Sequence, residues 1–370
     1  MIRRVDQFLP ILVERDAVGS HAVQVAGVLE DMGLDTTLYA GWVAPGTPVR
    51  SATFGAWQPD PDAVCLYHLA TGSPIVERLL TCGSPLVVNH HNITPPSWFV
   101  PWDQELAAQA SWGRSQLARL APAAASGIAD SAHNGEELRR AGCDRVDVAP
   151  VLLDPARTSP GTAGDPASVE GSAREVRSGD WLFVGRMAPN KGQGHLVRAM
   201  AEAVRLGDAT TRLHLVGGDS PASYGAAVRG LAAELGVADR VVIHGSVTDD
   251  ELRDHYRQAG VFLCASEHEG FGVPLVEAMA HGLPVVAVAE TAVPETVGDA
   301  GLLLPRPDPL ELALAAGRVT SDRSLTAALV HRGRRRAAEL SMETTRQRFR
   351  EVMELQLEEL ASAPRPVETP

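Results

Sequence analysis

The sequence predicts an α/β protein built from two doubly wound parallel sheets facing a cleft. Its 370 residues exceed what one hydrophobic core usually organises. Two series of short apolar runs alternate with amphipathic stretches, the pattern of strands joined by crossover helices. Between the series, residues 154–179 turn to Pro, Gly, Ser, Thr and Ala without periodicity, which reads as a linker or mobile loop.

In the first series, strands are expected at 8–13, 36–39, 64–68, 86–89, 128–130 and 146–148. Helical patterns fall at 21–32, 104–120 and 136–141, the last with Asn134 as its candidate N-cap. The second series places strands at 181–184, 212–216, 241–244, 261–264, 285–287 and 301–304. Helices are expected between them at 194–206, 222–235, 249–259 and 275–281. The chain closes with helical patterns at 324–340 and 343–360 and a Pro-rich tail at 363–370. The expected domains are thus 1–153 and 180–341, both Rossmann-like, with a last helix in 342–370 that can return to the first domain.

Composition narrows the function. The chain is 45% hydrophobic and 21% charged, enough apolar material for real cores. A formal net charge of -13 repels phosphate backbones, so nucleic acid is not an expected partner. Cys65, Cys82, Cys143 and Cys264 form no CxxC pair, which suggests neither a zinc site nor a disulfide framework and fits a reducing cytoplasm. No apolar run approaches membrane-spanning length. All the basic residues but one are arginine, and the exception is Lys191. A position that keeps an ammonium against that bias suits a site needing a compact point charge, although chance explains a single lysine equally well.

Ligands of open α/β sheets sit at the carboxyl ends of strands, so the residues following each strand matter most. After the strand at 181–184 come Gly185, Arg186, Met187, Ala188, Pro189, Asn190, Lys191 and Gly192. Two cations there lie between a strand end and a helix start, where backbone N–H groups also favour an anion. A diphosphate fits, and the spacing is not that of a P-loop. Two solvated surface cations are the plain alternative. After the strand at 261–264, Glu269 and Glu277 flank Gly270 and Gly272, a backbone that approaches a ligand closely. Paired carboxylates accept vicinal hydroxyls, so this segment suits a sugar nucleotide. Compensation of the helix dipole accounts for Glu277 but poorly for Glu269.

The GR-x4-KG segment, the E-x7-E pair and Gly217-Gly218 together resemble the retaining GT-B glycosyltransferases of family 4, the glycosyl transferases group 1. The likeness spans 181–304 and continues more weakly upstream. There Asp16 to His21 resembles the glycine loop that meets donor phosphates, with Gly19-Ser20 where many relatives carry two glycines. Residues 90–95 resemble the HNITP segment of a bacterial subgroup.

That resemblance implies a retaining, metal-independent hexosyltransferase that takes a nucleoside-diphosphate sugar and a hydroxyl-bearing acceptor, with no cofactor. Arg186 and Lys191 would bind the diphosphate, Glu277 the ribose and Glu269 the transferred sugar. His91 would contact the sugar or leaving group, with His90 as the bland alternative one residue out of register. Gly19, Ser20, Gly185, Gly217, Gly218, Val247, Gly270, Phe271, Gly272 and Val273 would complete the donor site, the base lying near His244 to Val247. His68, Ser73 and Trp98 are the acceptor candidates. The aromatic stretch from Trp98 to Trp102 is read as acceptor pocket, partner or peripheral membrane surface, or simply aromatics packed under a loop. Asp60-Pro61-Asp62 spells DxD but reads as a turn rather than a metal site. A sugar-nucleotide epimerase of the same architecture and a non-catalytic sugar-nucleotide-binding subunit are the alternatives, and the two motifs together favour transfer.

Overall fold

The structure is a computed structural model that describes residues 2–13, 16–43, 49–158 and 179–362. Most of the expected linker (159–178) and the tail at 363–370 lie outside the described residues. The chain divides into two compact units. The first takes its described residues from 1–95, 108–154 and 342–370, the second from 96–107 and 155–341. A boundary at 153 therefore misses residues 96–107, which group with the second unit.

The first unit begins β1 (Arg4–Leu12), α1 (Ala17–Asp31), β2 (Asp35–Val43), β3 (Ser51–Thr53), β4 (Val64–Leu69), α2 (Ile75–Leu79) and β5 (Leu86–His90). It continues through α3 (Gln104–Ala123), whose residues up to Ala107 group with the second unit, then β6 (Ser126–Ala129), α4 (Ala132–Arg140) and β7 (Val146–Val148). Its seven strands are parallel in the order β3-β2-β1-β4-β5-β6-β7. Side chains alternate across the sheet, as a period of two requires. Val64 and Leu66 enter one apolar layer while Cys65, Tyr67 and Leu69 enter the other.

The second unit runs α5 (Pro155–Thr158), β8 (Trp181–Val184), α6 (Gln193–Arg205), β9 (Leu213–Val216), α7 (Ala222–Glu234), β10 (Val241–Gly245) and α8 (Asp249–Gln258). Then come β11 (Val261–Cys264), α9 (Val273–Ala280), β12 (Val285–Val288), α10 (Val293–Val297), β13 (Gly301–Leu304), α11 (Pro309–Ser321) and α12 (Arg323–Glu339). Its sheet is also parallel, in the order β10-β9-β8-β11-β12-β13.

The last helix, α13 (Met342–Ser362), packs on the first unit. Phe349, Val352, Met353 and Leu357 recur on one face and join Val5, Val25, Leu66 and Val87 in a single core layer. Buried Gln356 fixes the register: its amide donates to the Gly127 carbonyl at 3.1 Å and its oxygen accepts from the Ser126 hydroxyl at 2.8 Å.

Helix starts differ from the expected ones where a cap sits further upstream. Ser131, not Asn134, caps α4, its hydroxyl accepting the Asn134 amide at 3.2 Å, and Asn134 is buried in the first turn. Likewise α1 starts at Ala17 because Asp16 caps it, which puts Gly19 and Ser20 inside a helix rather than in a loop. The helix α11 has no counterpart among the expected elements, although Asp308 before Pro309 is a cap followed by a preorganised first residue.

Candidate active site

In the second unit, strand order reverses between β8 and β11, the crevice where such sheets bind ligands. The loops leaving these neighbouring strands carry Lys191 and Glu269. Lys191 Nζ lies 2.7 Å from Glu269 Oε1, and both side chains are mostly buried. Two contacts hold the loops together: Asn190 Nδ2 donates to the His268 carbonyl at 3.0 Å, and the Glu267 amide donates to the Asn190 carbonyl at 2.9 Å. Gly192, with φ +69°, begins α6 so close to β11 that a Cβ there would sit 2.1 Å from the Ala265 carbonyl oxygen. Only glycine brings Lys191 this near.

Glu269 is fixed from a third side. Its amide donates to Thr291 Oγ1 at 2.8 Å, and Thr291 is a β-branched residue held at φ +51°. Strain of that kind persists only where the surroundings enforce it, and it gathers at functional sites. Phe271 is buried, its carbonyl accepting the Thr296 hydroxyl at 2.5 Å, and Gly272 turns the chain into α9. Gly270 precedes them on this loop, and Val273 is the first residue of α9.

Arg186 is exposed just past β8, and its carbonyl accepts from Gln193 Nε2 at 2.7 Å. The ends of β8, β9 and β10 are laced together. The Gly185 amide donates to the Val216 carbonyl at 2.9 Å, the Gly217 amide to the Gly245 carbonyl at 2.8 Å, and the Met187 amide to the Gly218 carbonyl at 2.9 Å. Val247, half-buried, follows β10 at the same end. Thus Gly185, Arg186, Lys191, Gly217, Gly218, Val247, Glu269, Gly270, Phe271, Gly272 and Val273 share one edge of one sheet.

Glu277 is almost fully buried. The Tyr256 hydroxyl donates to its Oε2 at 2.7 Å, and Arg157 Nε lies 3.0 Å from Oε1. Burial and the Glu277 charge push the Tyr256 hydroxyl well above its ordinary pKa, so it stays a donor. Arg157 is held in turn, its carbonyl facing His281 Nε2 at 3.0 Å. Tyr256, Arg157, Asn190 and Thr291 escaped the sequence reading, since each lies far from the motifs or is unremarkable in type.

In the first unit, His91 lies in a buried hydrogen-bonded chain. Its Nδ1 is 2.8 Å from Asp130 and its Nε2 is 3.0 Å from His68 Nδ1, while His68 Nε2 meets the Gln7 carboxamide at 2.9 Å. Satisfying all four groups sets the protons: His91 Nδ1–H donates to Asp130, His68 Nδ1–H donates to His91 Nε2, and Gln7, with its carboxamide turned to suit, donates to His68 Nε2. The His91 side chain is 2% exposed, and both its ring nitrogens are engaged in this chain. Burial and the neighbouring His91 depress the His68 pKa, and burial with His91 and His68 depresses that of His21.

Other expected contacts land elsewhere. His90 faces Glu137 at 2.8 Å. Burial raises the Glu137 pKa, but hydrogen bonding to His90 and the charges of His90 and Arg114 prevail and lower it to about 2. His68 and Ser73 are fully buried, and the Ser73 backbone is clasped by Gln116 at 2.8 Å through both its amide and its carbonyl, so neither is placed to touch an acceptor. The amides of Val18 and Gly19 are capped by Asp16 at 3.2 Å, and a Cβ on Gly19 would meet the Val13 carbonyl at 2.5 Å. Gly19 is therefore demanded by packing. Trp98 is half-buried, and Trp102 packs edge-on against Tyr224 with centroids 5.0 Å apart, its carbonyl accepting the Ser223 hydroxyl. Asp60 closes a turn, its Oδ1 accepting the Asp62 amide at 2.9 Å.

The family described as Glycosyl transferases group 1 matches residues 179–322. A D-inositol 3-phosphate glycosyltransferase of Acidothermus cellulolyticus is 29% identical over 84% of this chain and 79% of its own length. A 2-deoxystreptamine glucosyltransferase of Streptomyces kanamyceticus is 35% identical over 51% of this chain, and the match spans about half (49%) of that relative. Among solved structures, Anabaena Alr3699/HepE in complex with UDP and glucose superposes with a TM-score of 0.72 at 19% identity, covering 95% of this chain and 99% of that one. Among the described residues no helix is long and apolar enough to cross a membrane. Residues 179–322 are thus a glycosyl transferases group 1 domain, in a chain with the two-domain α/β fold of the GT-B glycosyltransferases.

Proposed function

We propose that this protein is a retaining glycosyltransferase that moves a hexosyl group from a nucleoside-diphosphate sugar to an acceptor hydroxyl without a metal ion. The observation that carries the reading is the Lys191–Glu269 pair, 2.7 Å apart at the reversal of strand order. An ammonium has three N–H donors, so one held by Glu269 leaves two for phosphate oxygens. Arg186 and the first amides of α6 add positive potential at the same strand end. These fixed donors oppose the negative charge that grows on the diphosphate as the bond to the anomeric carbon breaks.

In this reading Glu269 holds hydroxyls of the transferred sugar, and Glu277 takes ribose hydroxyls in place of Arg157. The acceptor oxygen bonds the anomeric carbon on the face the diphosphate leaves, and its proton passes to the departing phosphate oxygen. The charge supplied by Lys191 and Arg186 does the work a divalent ion would otherwise do. His91 belongs to the set through the chain in which Asp130 keeps its proton on Nδ1. The four free cysteines suit a cytoplasmic setting.

The names of the relatives supply the first compounds to try: D-inositol 3-phosphate and 2-deoxystreptamine as acceptors, UDP-glucose as donor. The test is a thermal-shift screen of UDP-, GDP- and ADP-sugars without metal, since a ligand at 100 times its Kd adds about 2.7 kcal/mol. One donor is expected to raise the melting temperature in the wild type and to raise it clearly less in Lys191→Ala. Stabilisation by none of them contradicts the proposal.

A further inference from the structure

A second cluster of histidines stands in the glycosyltransferase domain, formed by side chains outside the Lys191–Glu269 pair. His214 on β9 and His244 on β10 are brought together by parallel pairing, because His214 is in register with Val242, two residues before His244. The pairing is irregular at His244, between Ile243 and Gly245, and the two rings meet on one side, stacked with centroids 5.2 Å apart. His255, in the last turn of α8, meets them there: its ring centroid is 4.3 Å from that of His244 and 6.0 Å from that of His214. One nitrogen from each ring lies within 4.8 Å of the other two, and all three residues are half-buried.

We propose that His214, His244 and His255 form a binding site for one Zn2+ ion, with Asp180 orienting His214 from behind. Three imidazoles are a common zinc donor set, and bonds of about 2.0–2.1 Å hold tetrahedral ligand nitrogens roughly 3.3 Å apart. His214 Nδ1 and His244 Nε2, 2.9 Å apart, need only open slightly, and His255 moves inward by at most about 1.5 Å. The other ring nitrogen of His214 faces the Asp180 carboxylate at 3.6 Å, and Asp180 is anchored through the Arg212 amide at 2.8 Å. A ligating histidine backed by a carboxylate is a recurrent feature of zinc sites, since it fixes which nitrogen is free to coordinate.

The other trio of histidines, His21, His68 and His91, is different. It is fully enclosed, and its nitrogens already face Asn89, the Leu152 amide, Gln7, Asp130 and one another. The ion would tie β9, the sheet-edge strand β10 and α8 at one point.

The test uses the full chain without a histidine-rich purification tag, stripped with chelator and titrated with Zn2+ by calorimetry. Co2+ serves as a spectroscopic probe in parallel. One equivalent of Zn2+ is expected to bind and raise the melting temperature, and Co2+ to give the intense visible bands of a tetrahedral site. His255→Ala, which keeps a good helix former in α8, should weaken Zn2+ at least tenfold and abolish the bands. Asp180→Asn retains an oxygen for the Arg212 amide and should weaken Zn2+ by roughly ten- to a hundredfold. Absence of binding in the wild type overturns the proposal, as does binding unchanged by His255→Ala. Circular dichroism at the titration temperature must show both variants folded. If His255→Ala is not, His255→Gln takes its place, and the same two outcomes decide.

Discussion

Lys191 and Glu269 meet at 2.7 Å although 78 residues separate them, because the strands that deliver them, β8 and β11, are neighbours. The pair keeps the ammonium at the end of the sheet, and Gly192 sets how near the two loops come.

Lys191→Ala is expected to lose a charge-assisted contact of ~1.5–3 kcal/mol, roughly ten- to a hundredfold in donor affinity or kcat/KM. Lys191→Arg should also lose substantially with the charge intact. A planar fork pairs side-on with Glu269 and cannot follow a phosphate oxygen from the same backbone position. Steady-state kinetics decides: wild-type values in Lys191→Arg would make the lysine a compositional accident, and wild-type values in Lys191→Ala would remove its phosphate role.

Gly192→Ala forces a Cβ to within 2.1 Å of the Ala265 carbonyl in a left-handed backbone. The expected cost is about 1–3 kcal/mol, with weaker donor binding, because the Lys191 loop must move. A thermal melt and a donor titration check both parts. An unaltered melting temperature would show that the close approach of β11 and α6 is not enforced.

Asp130→Asn keeps an oxygen for His91 Nδ1–H but removes the charge that holds the proton there. The expected loss is ~1.5–3 kcal/mol of transition-state stabilisation, tenfold to roughly a hundredfold in kcat, with KM little changed. A loss confined to KM, or none, would separate the buried chain from turnover.

His21 and His68 are kept neutral by burial, so their folded pKa values lie below the ordinary 6.5. The unfolded chain then binds protons that the folded one does not. Stability is full above about pH 6.5 and falls as the pH drops below it, by up to about 1.4 kcal/mol per pH unit for each such histidine. Melting temperatures at pH 7.5 and 5.5 should differ accordingly, and substituting His68 by Gln should shrink the difference. A melting temperature that rises on acidification would contradict the buried-neutral assignment.

The two parallel sheets were legible because strand and helix periods alternate cleanly, and because Gly185 to Gly192 and Glu269 to Glu277 are contiguous motifs after apolar runs. What the sequence concealed was tertiary. Residues 96–107 lie within first-unit sequence yet cluster with the second unit, where Trp102 packs on Tyr224. Nothing in the local pattern marks Tyr256 and Arg157 as partners of Glu277, since they come from other helices. His68 and Ser73 follow or end a strand, as ligand-contacting residues do, but both are buried, one supporting His91 and the other clasped by the Gln116 side chain. The shift at the start of α1 follows from Asp16, a cap upstream of the apolar repeat on which the reading relied.

The central claim is transfer with retention, driven by the fixed cations of the second unit. Its most direct test is NMR of the first-formed product, with the stabilising donor, an acceptor and excess EDTA. The expected product is a new glycoside with the anomeric configuration of the donor, formed at the same rate with and without chelator. An inverted linkage, or turnover that stops in EDTA and returns with Mg2+ or Mn2+, would contradict it.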